Sequence, residues 1–268
     1  MNKDIFRQVS IIIITIVTLT MNSLATTLPL NNKTTAELSD SFLIRFVPAG
    51  YVFSVWGLIY TGLIAFTVWQ ALPKNREDVR MRAIGWWFVV GSVANTLWLV
   101  FWHYQYVAIT LPIMLVLLAT LIYTATTLFK IPAKSNAERI CVDLPFSIYM
   151  GWISVATVVN ASVVLFDNGF AVADDAAILW AVGLVIVAAI LAFAQRVLRQ
   201  DTAYGLVIAW ALYGVAVKQG IYTTQGLLPD APLLITAATY VAQALAVLLL
   251  VWWVVDQGRS ILTRRQSV

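Results

Sequence analysis

The chain is short of the residues on which most chemistry depends. It has one cysteine, Cys141, and one histidine, His103, among 268 residues. A single thiol excludes an internal disulfide framework and any multi-thiolate metal site; Cys141 reads as a small residue at the start of a helix. Charge is scarce as well. Asp, Glu, Lys and Arg make up 11% of the chain, against about 25% in a soluble domain. No nucleophile–base pair, metal-ligand cluster or paired carboxylate falls inside the apolar runs, so catalysis of hydrolysis or group transfer lacks candidates and the chain reads as a non-enzyme. The basic residues are scattered over short segments, which argues against a nucleic-acid partner.

What the chain has in excess is apolar and aromatic: 61% of its residues are hydrophobic and 12% aromatic, including 11 tryptophans, and the mean hydropathy is +0.85. Eight apolar runs, at 8–28, 49–72, 83–103, 106–129, 144–166, 176–198, 202–220 and 232–255, each approach the ~20 residues with which a helix crosses a bilayer. Lipid cannot satisfy open backbone groups, so such runs are helical, and the alternation of a membrane barrel is absent. The expected fold is all-α, a polytopic membrane helical bundle of about eight transmembrane helices.

Charge orients it. When the connections are assigned alternately to two sides, all 17 lysines and arginines except Lys33, Arg45 and Lys218 fall on one side. By the positive-inside rule that side, with both termini, is cytoplasmic, and the expected location is the plasma membrane. Ser23-Leu24-Ala25 resembles a cleavage site; cutting there would leave seven helices, whereas the run from Val9 to Leu28 is long enough to span. Residues 29–48 form the longest connection, polar from Asn31 to Asp40 and amphipathic through Phe42, Leu43, Ile44, Phe46 and Val47. A connection of ~20 residues is unusual unless it is a lid or a disordered link, and the mouth of a pocket suits its apolar half.

Three aromatic and amide faces stand out. From Pro48 to Tyr60 the chain reads as a helix opened by proline, with Phe53, Trp56 and Tyr60 on one face and Tyr51 beside them. The third run places Asn95, Trp98 and Trp102 at i, i+3 and i+7. An amide within a span needs a partner, and Asn95 serves either as interhelical glue or as a ligand contact. The fifth run carries Trp152, Ala156 and Asn160 at successive i+4 spacings, with Asp143 and Pro145 expected as its cap and first-turn proline. His103, flanked by Trp102, Tyr104 and Tyr106, reads as part of an interfacial belt, with haem ligation as the alternative. Pro112 is expected to bend the fourth helix, with Thr120 and Thr124 taking up freed backbone bonds. Gly183, Gly205 and Gly214 suggest close packing in the last three helices. Val207 to Lys218, with Tyr213 between, satisfies a loose sterol-motif pattern that carries little weight.

Taken in order, these faces resemble the tryptophan-rich sensory protein, or translocator protein (peripheral benzodiazepine receptor), family. Pro48, Val52, Phe53, Val55, Trp56 and Tyr60 follow that family's second-helix motif with one residue missing and Ser54 in place of its inner proline. Asn95 and Trp98 match its third-helix N-x-x-W. Trp152, Ala156 and Asn160 match its fifth helix, with Pro145-Phe146 three residues further from the tryptophan. The resemblance covers 8–166. It implies a five-helix core, residues 1–166, whose pocket binds a hydrophobic ligand of the porphyrin or sterol kind. Residues 167–268 are then a three-helix membrane extension with a basic cytoplasmic tail, which enlarges the bundle, replaces a dimer partner or carries a sensing surface; a homodimer stays open beside these.

Topology places Tyr51, Phe53, Trp56, Asn95, Trp98, Trp102, Ala156 and Asn160 in the outer half of the bundle, with Tyr60 and Trp152 near mid-depth. These ten are the expected ligand-binding residues. The expected function is binding of a porphyrin- or sterol-like ligand in a sensory or regulatory role. No cofactor is required, a porphyrin or haem entering as ligand, and the partners are the bilayer and a small hydrophobic molecule. The alternative is uncoupled transport of a lipophilic metabolite, since coupled transporters carry ionisable groups within their spans. Porphyrin breakdown, suggested for the related family, is a minor option.

Overall fold

A computed structural model describes residues 3–27, 30–170 and 175–266, with side chains as far as Asp256. Leu28 at the end of the first run, Asp174, and the side chains of Arg259, Arg264 and Arg265 in the basic tail lie outside what is described. Eight helices are long and apolar enough to cross a membrane, and among the described residues there is no strand. They are α1 (Lys3–Thr27), α2 (Val55–Ala71), α3 (Val79–His103), α4 (Val107–Lys130), α5 (Leu144–Asp167), α6 (Asp175–Arg199), α7 (Thr202–Thr224) and α8 (Pro232–Gln266).

Helix α1 packs on α2 and α3, α3 on α4, α4 on α5, and α5 on α2, so the first five close into a ring. Helices α6, α7 and α8 pack on one another, and α7 attaches this group to the ring through α5. At that seam Gly151 of α5 lies against the backbone of Tyr204. Between α7 and α8, a Cβ at Gly205 would come within 2.6 Å of Leu249. Gly183 does not share this role: nothing lies within 4 Å of a Cβ there.

Lipid tails are as apolar as leucine, so polar bonds and close packing, rather than hydrophobic burial, hold membrane helices together. Helix α1 shows this most clearly. Gln8, Thr15, Thr18 and Asn22 are buried along one of its faces. Gln8 and Gln70 donate to each other's backbone carbonyls at 2.5 and 3.3 Å. Thr15 bonds Thr67 at 2.9 Å, and Asn22 donates to Asn95 at 2.9 Å. The charged residues that alternate assignment grouped together do cluster at one end of the bundle. Arg80, wholly buried, lies 2.6 Å from Glu138 and 2.5 Å from Asp143. Asp4 joins Arg7 and Arg82, Lys134 pairs with Asp78, and Arg196 with Asp256. This is called the basic end below, and the other the loop end. Toward the basic end, Phe66, Phe88 and Phe146 pack ring to ring, Phe66 lying 4.9 Å from each of the others, and all three are buried.

Several local expectations need correction. Pro48 does not open the second helix: Gly50–Ser54 forms a 3-10 turn and the α-helix starts at Val55. Asp143 is no cap. Helical backbone already begins at Asn136, capped by Ser135, and passes through a π-turn at Arg139–Asp143, leaving the Asp143 carboxylate to Arg80. Pro145 does sit in the first turn of α5. In α4, Thr120 bonds the Leu117 carbonyl, not one freed by Pro112. His103 belongs to no belt: it is 1% exposed.

Candidate functional site

The loop between α1 and α2 roofs the loop end of the ring. Its short helix Thr35–Asp40 is held by a capping box, Thr34 accepting from the Glu37 amide while the Glu37 carboxylate accepts from the Thr34 amide. Leu38, Ile44, Phe46 and Val47 are buried, and Phe42 packs on Trp102 and Phe166. His103 fastens this roof to α3: its Nδ1 meets the Leu30 carbonyl and its Nε2 the Thr35 hydroxyl, both at 3.0 Å. With both ring nitrogens committed, the imidazole is not presented to a haem iron.

Helix α7 fastens the roof from the other side. The Ala49 amide donates to the Gly214 carbonyl at 3.0 Å and Trp210 Nε1 to the Val52 carbonyl at 3.3 Å. Arg45 donates to Gln219 and to the Pro229 carbonyl, and Gln219 returns a bond to the Arg45 carbonyl at 2.8 Å. Burial pulls the Arg45 guanidinium below arginine's usual value, and the Asp230 carboxylate opposes the shift. Lys218 Nζ reaches Asp40 at 2.8 Å and lies over the Tyr222 ring.

Beneath the roof lies a small cavity of about 40 Å³, room for a few waters and well below the size of a small-molecule site, so a ligand has to spread its walls. Thr35, Ser39, Pro48 and Phe53 line it from the loop, and Trp56 from α2. Asn95, Trp98 and Trp102 contribute from α3, and Met114 and Leu117 from α4. Helix α5 adds Trp152, Ile153, Val155, Ala156, Val159 and Asn160. Its aromatic walls are locked by mutual contact. Trp98 stacks on Trp102 at 5.3 Å, Phe53 meets Trp152 edge-on at 5.4 Å, and Trp56 stacks on Tyr60 at 5.4 Å.

Of the ten residues singled out above, eight line this cavity: Phe53, Trp56, Asn95, Trp98, Trp102, Trp152, Ala156 and Asn160. Tyr60 stands one ring behind it, its hydroxyl donating to Asn22 at 3.0 Å. Tyr51 is elsewhere: 44% exposed, it turns outward against Trp210 of α7. The 3-10 turn is the reason, since it rotates Tyr51 away from the face that Phe53 and Trp56 share.

Both amides are engaged by protein. Asn95 accepts from Asn22; Asn160 accepts from Trp98 Nε1 at 3.2 Å and donates to Thr110 at 2.8 Å. They fix the tryptophan walls and leave the cavity surface almost wholly apolar. Among the described residues, Trp102 Nε1 at the cavity is buried with no hydrogen-bond partner. A buried donor of this kind costs about 1–3 kcal/mol until an acceptor arrives.

Sequence reasoning missed Asn22, Thr110 and the whole α7 clamp. The buried polar spacing of Gln8, Thr15, Thr18 and Asn22 in α1 was a readable sign of the first. Nothing local marks Trp210, Gly214 or Gln219 as partners of a loop more than 150 residues earlier. The match to known proteins agrees with this wider frame. The model of the family described as TSPO-like protein matches residues 8–254, all eight helices rather than the first five. No curated protein and no solved structure matches the chain. A match over most of its length, to a bundle whose tryptophans close one cavity, places this chain in the TSPO-like protein family.

Proposed function

We propose that the protein binds a flat hydrophobic molecule of the porphyrin or sterol class in the loop-end cavity, which widens from about 40 Å³ by movement of the roof to admit it, in a sensory or regulatory role and without catalytic turnover. The observation that carries this is the convergence of Phe53, Trp56, Trp98, Trp102 and Trp152 on one apolar cavity, where Trp102 Nε1 is a buried donor without a partner among the described residues. Rings accept a flat ligand by stacking, and the indole N–H suits one acceptor on it, such as a carboxylate or carbonyl oxygen. The buried phenylalanine cluster toward the basic end favours binding over passage through the ring. Charge asymmetry supports a plasma-membrane orientation with the basic end and both termini in the cytoplasm. A porphyrin is then a ligand rather than a resident cofactor, and the further partner is the bilayer; α7 occupies one flank of the ring, leaving a homodimer to form through other faces.

The test is porphyrin titration of the detergent-purified protein, read by quenching of tryptophan fluorescence, with native mass spectrometry for any co-purified ligand. Trp102→Phe keeps the ring and removes the donor, and should weaken binding of a carboxylated porphyrin about tenfold, the value of one hydrogen bond to a charged group. It should leave an ester-free, acceptor-free hydrophobic probe unaffected. Normal porphyrin binding by Trp56→Ala, Asn95→Ala and Trp152→Ala together would refute the site. Uptake into proteoliposomes without stoichiometric binding would support transport instead.

A further inference from the structure

A second, larger cavity opens at the basic end, about 670 Å³ between the end of α4, the start of α5, the α6–α7 turn and α8. It plays no part in the loop-end site. Three guanidinium groups line it (Arg139, Arg196, Arg199) and three carboxylates (Asp143, Asp201, Asp256). Most of this charge is spoken for. Asp143 Oδ1 holds Arg80. Asp201 Oδ1 accepts from Ser147 and from the Tyr204 amide. Asp256 pairs with Arg196, whose guanidinium also lies 4.5 Å from the Trp252 ring centroid.

What is left over carries both signs. Arg199 donates through Nη2 to Thr126 at 3.0 Å, and among the described residues its Nη1 is buried without a partner. Arg196, 2% exposed, has an unpartnered Nε. On the acidic side Asp143 Oδ2 is likewise buried and unpartnered. Arg139 makes no ion pair among the described residues. The lining charges balance, so a simple anion gains little net attraction. A group bearing a phosphate and an ammonium would answer the spare donors and the spare acceptor together. The mouth supplies the remaining clue: Phe129, Leu144, Leu198 and Trp253 line it and are all exposed, Leu198 by 71%. An apolar rim beside a polar cavity at the end of a transmembrane bundle fits an amphiphile whose chains remain in the bilayer.

We propose that this cavity is a site for a zwitterionic phospholipid with a primary ammonium, a phosphoethanolamine headgroup. Its phosphate sits with Arg199 and Arg196, its ammonium with Asp143, and its acyl chains along Phe129, Leu198 and Trp253. A choline headgroup lacks the N–H donors that Asp143 would accept, and a glycerol headgroup lacks the positive charge.

The test uses the full chain, delipidated in detergent and titrated by native mass spectrometry. The probes are phosphatidylethanolamine, phosphatidylcholine and phosphatidylglycerol with identical chains, and soluble glycerophosphoethanolamine. Phosphatidylethanolamine should bind about tenfold more tightly than either other lipid, and Arg199→Gln should remove about that factor, the worth of one charge-assisted hydrogen bond. Thr126→Val, which only frees the Arg199 fork, should cost a few-fold and guards against misfolding of the arginine variant. Porphyrin binding at the loop end reports an intact fold in both. Equal binding of the three lipids, preference for phosphatidylglycerol, or undiminished binding by Arg199→Gln in a folded protein overturns the proposal. Glycerophosphoethanolamine binding as tightly as the lipid would overturn the membrane as the source of the headgroup.

Discussion

The seam between α7 and the roof can be tested by adding one methyl group. A Cβ at Gly214 would stand 2.2 Å from Val52 Cγ2 and 3.1 Å from Pro48 Cβ. Val52 is completely buried and β-branched, so it has few rotamers into which to retreat. Gly214→Ala therefore has to push the roof away from α7. Overpacking costs about 1–3 kcal/mol. Loss of the Ala49–Gly214 backbone bond, 3.0 Å long, adds about 0.5–1.5 kcal/mol. Against this, alanine in a helix gains about 1 kcal/mol over glycine, but that gain belongs to α7 and does not help the loop to dock. Docking of the roof should thus weaken by ~1.5–4.5 kcal/mol, which raises its opening equilibrium by about one to three powers of ten. Hydrogen exchange reads this directly: the Ala49 and Val52 amides should lose protection by that factor while the amides of α3 keep theirs. Because Pro48 and Phe53 line the cavity, bound porphyrin should also dissociate faster. Val52→Ala removes the clashing methyl groups, so the double variant Val52→Ala/Gly214→Ala should recover most of the protection. Unchanged exchange in Gly214→Ala, or no recovery in the double variant, would show that α7 does not hold the roof.

Two further outcomes follow from the buried polar groups. Arg80→Met leaves Glu138 and Asp143 without their shared cation and should cost about 3–5 kcal/mol, seen as a large fall in thermal unfolding temperature in detergent. Arg82→Gln, at a half-exposed pair, should leave that temperature nearly unchanged because solvent screens the pair; equal shifts would contradict the buried-pair assignment. Asn160→Leu strips Trp98 and Thr110 of their partner, and should lower stability by ~1–2 kcal/mol at the ~0.6 kcal/mol average, and ~1.7 maximum, of interhelical bonds in membranes. It should also loosen the Trp98 wall and weaken porphyrin binding, whereas Thr110→Ala should do so far less.

Much of this architecture is legible residue by residue. Eight apolar runs must become eight helices because lipid offers no partner to a bare backbone, and the clustering of arginines and lysines marks the basic end. The i, i+3, i+7 spacing of Asn95, Trp98 and Trp102 sets three groups on one side of α3 whatever α3 packs against, and they do meet Trp56, Trp152 and Asn160 at one cavity. Two of the corrected inferences failed for local reasons. Tyr51 left the shared face because a 3-10 turn precedes α2, and Asp143 lost its capping role because a π-turn carries helix through it.

The chain by itself thus determined the class, the number of helices, their alternation and the aromatic faces, all of which depend on short-range geometry and on the solvent that the backbone meets. Only the tertiary structure decided which faces turn inward, because in a bilayer both the lipid side and the core side of a helix are apolar and hydrophobic periodicity cannot separate them. It also decided what the amides do: Asn95 and Asn160 tie helices and tryptophans together, leaving Trp102 as the cavity's spare donor. His103 became a latch instead of a belt residue, and α7 became the clamp on a distant loop. Such pairings rest on contacts between residues far apart in the chain, to which no local spacing points.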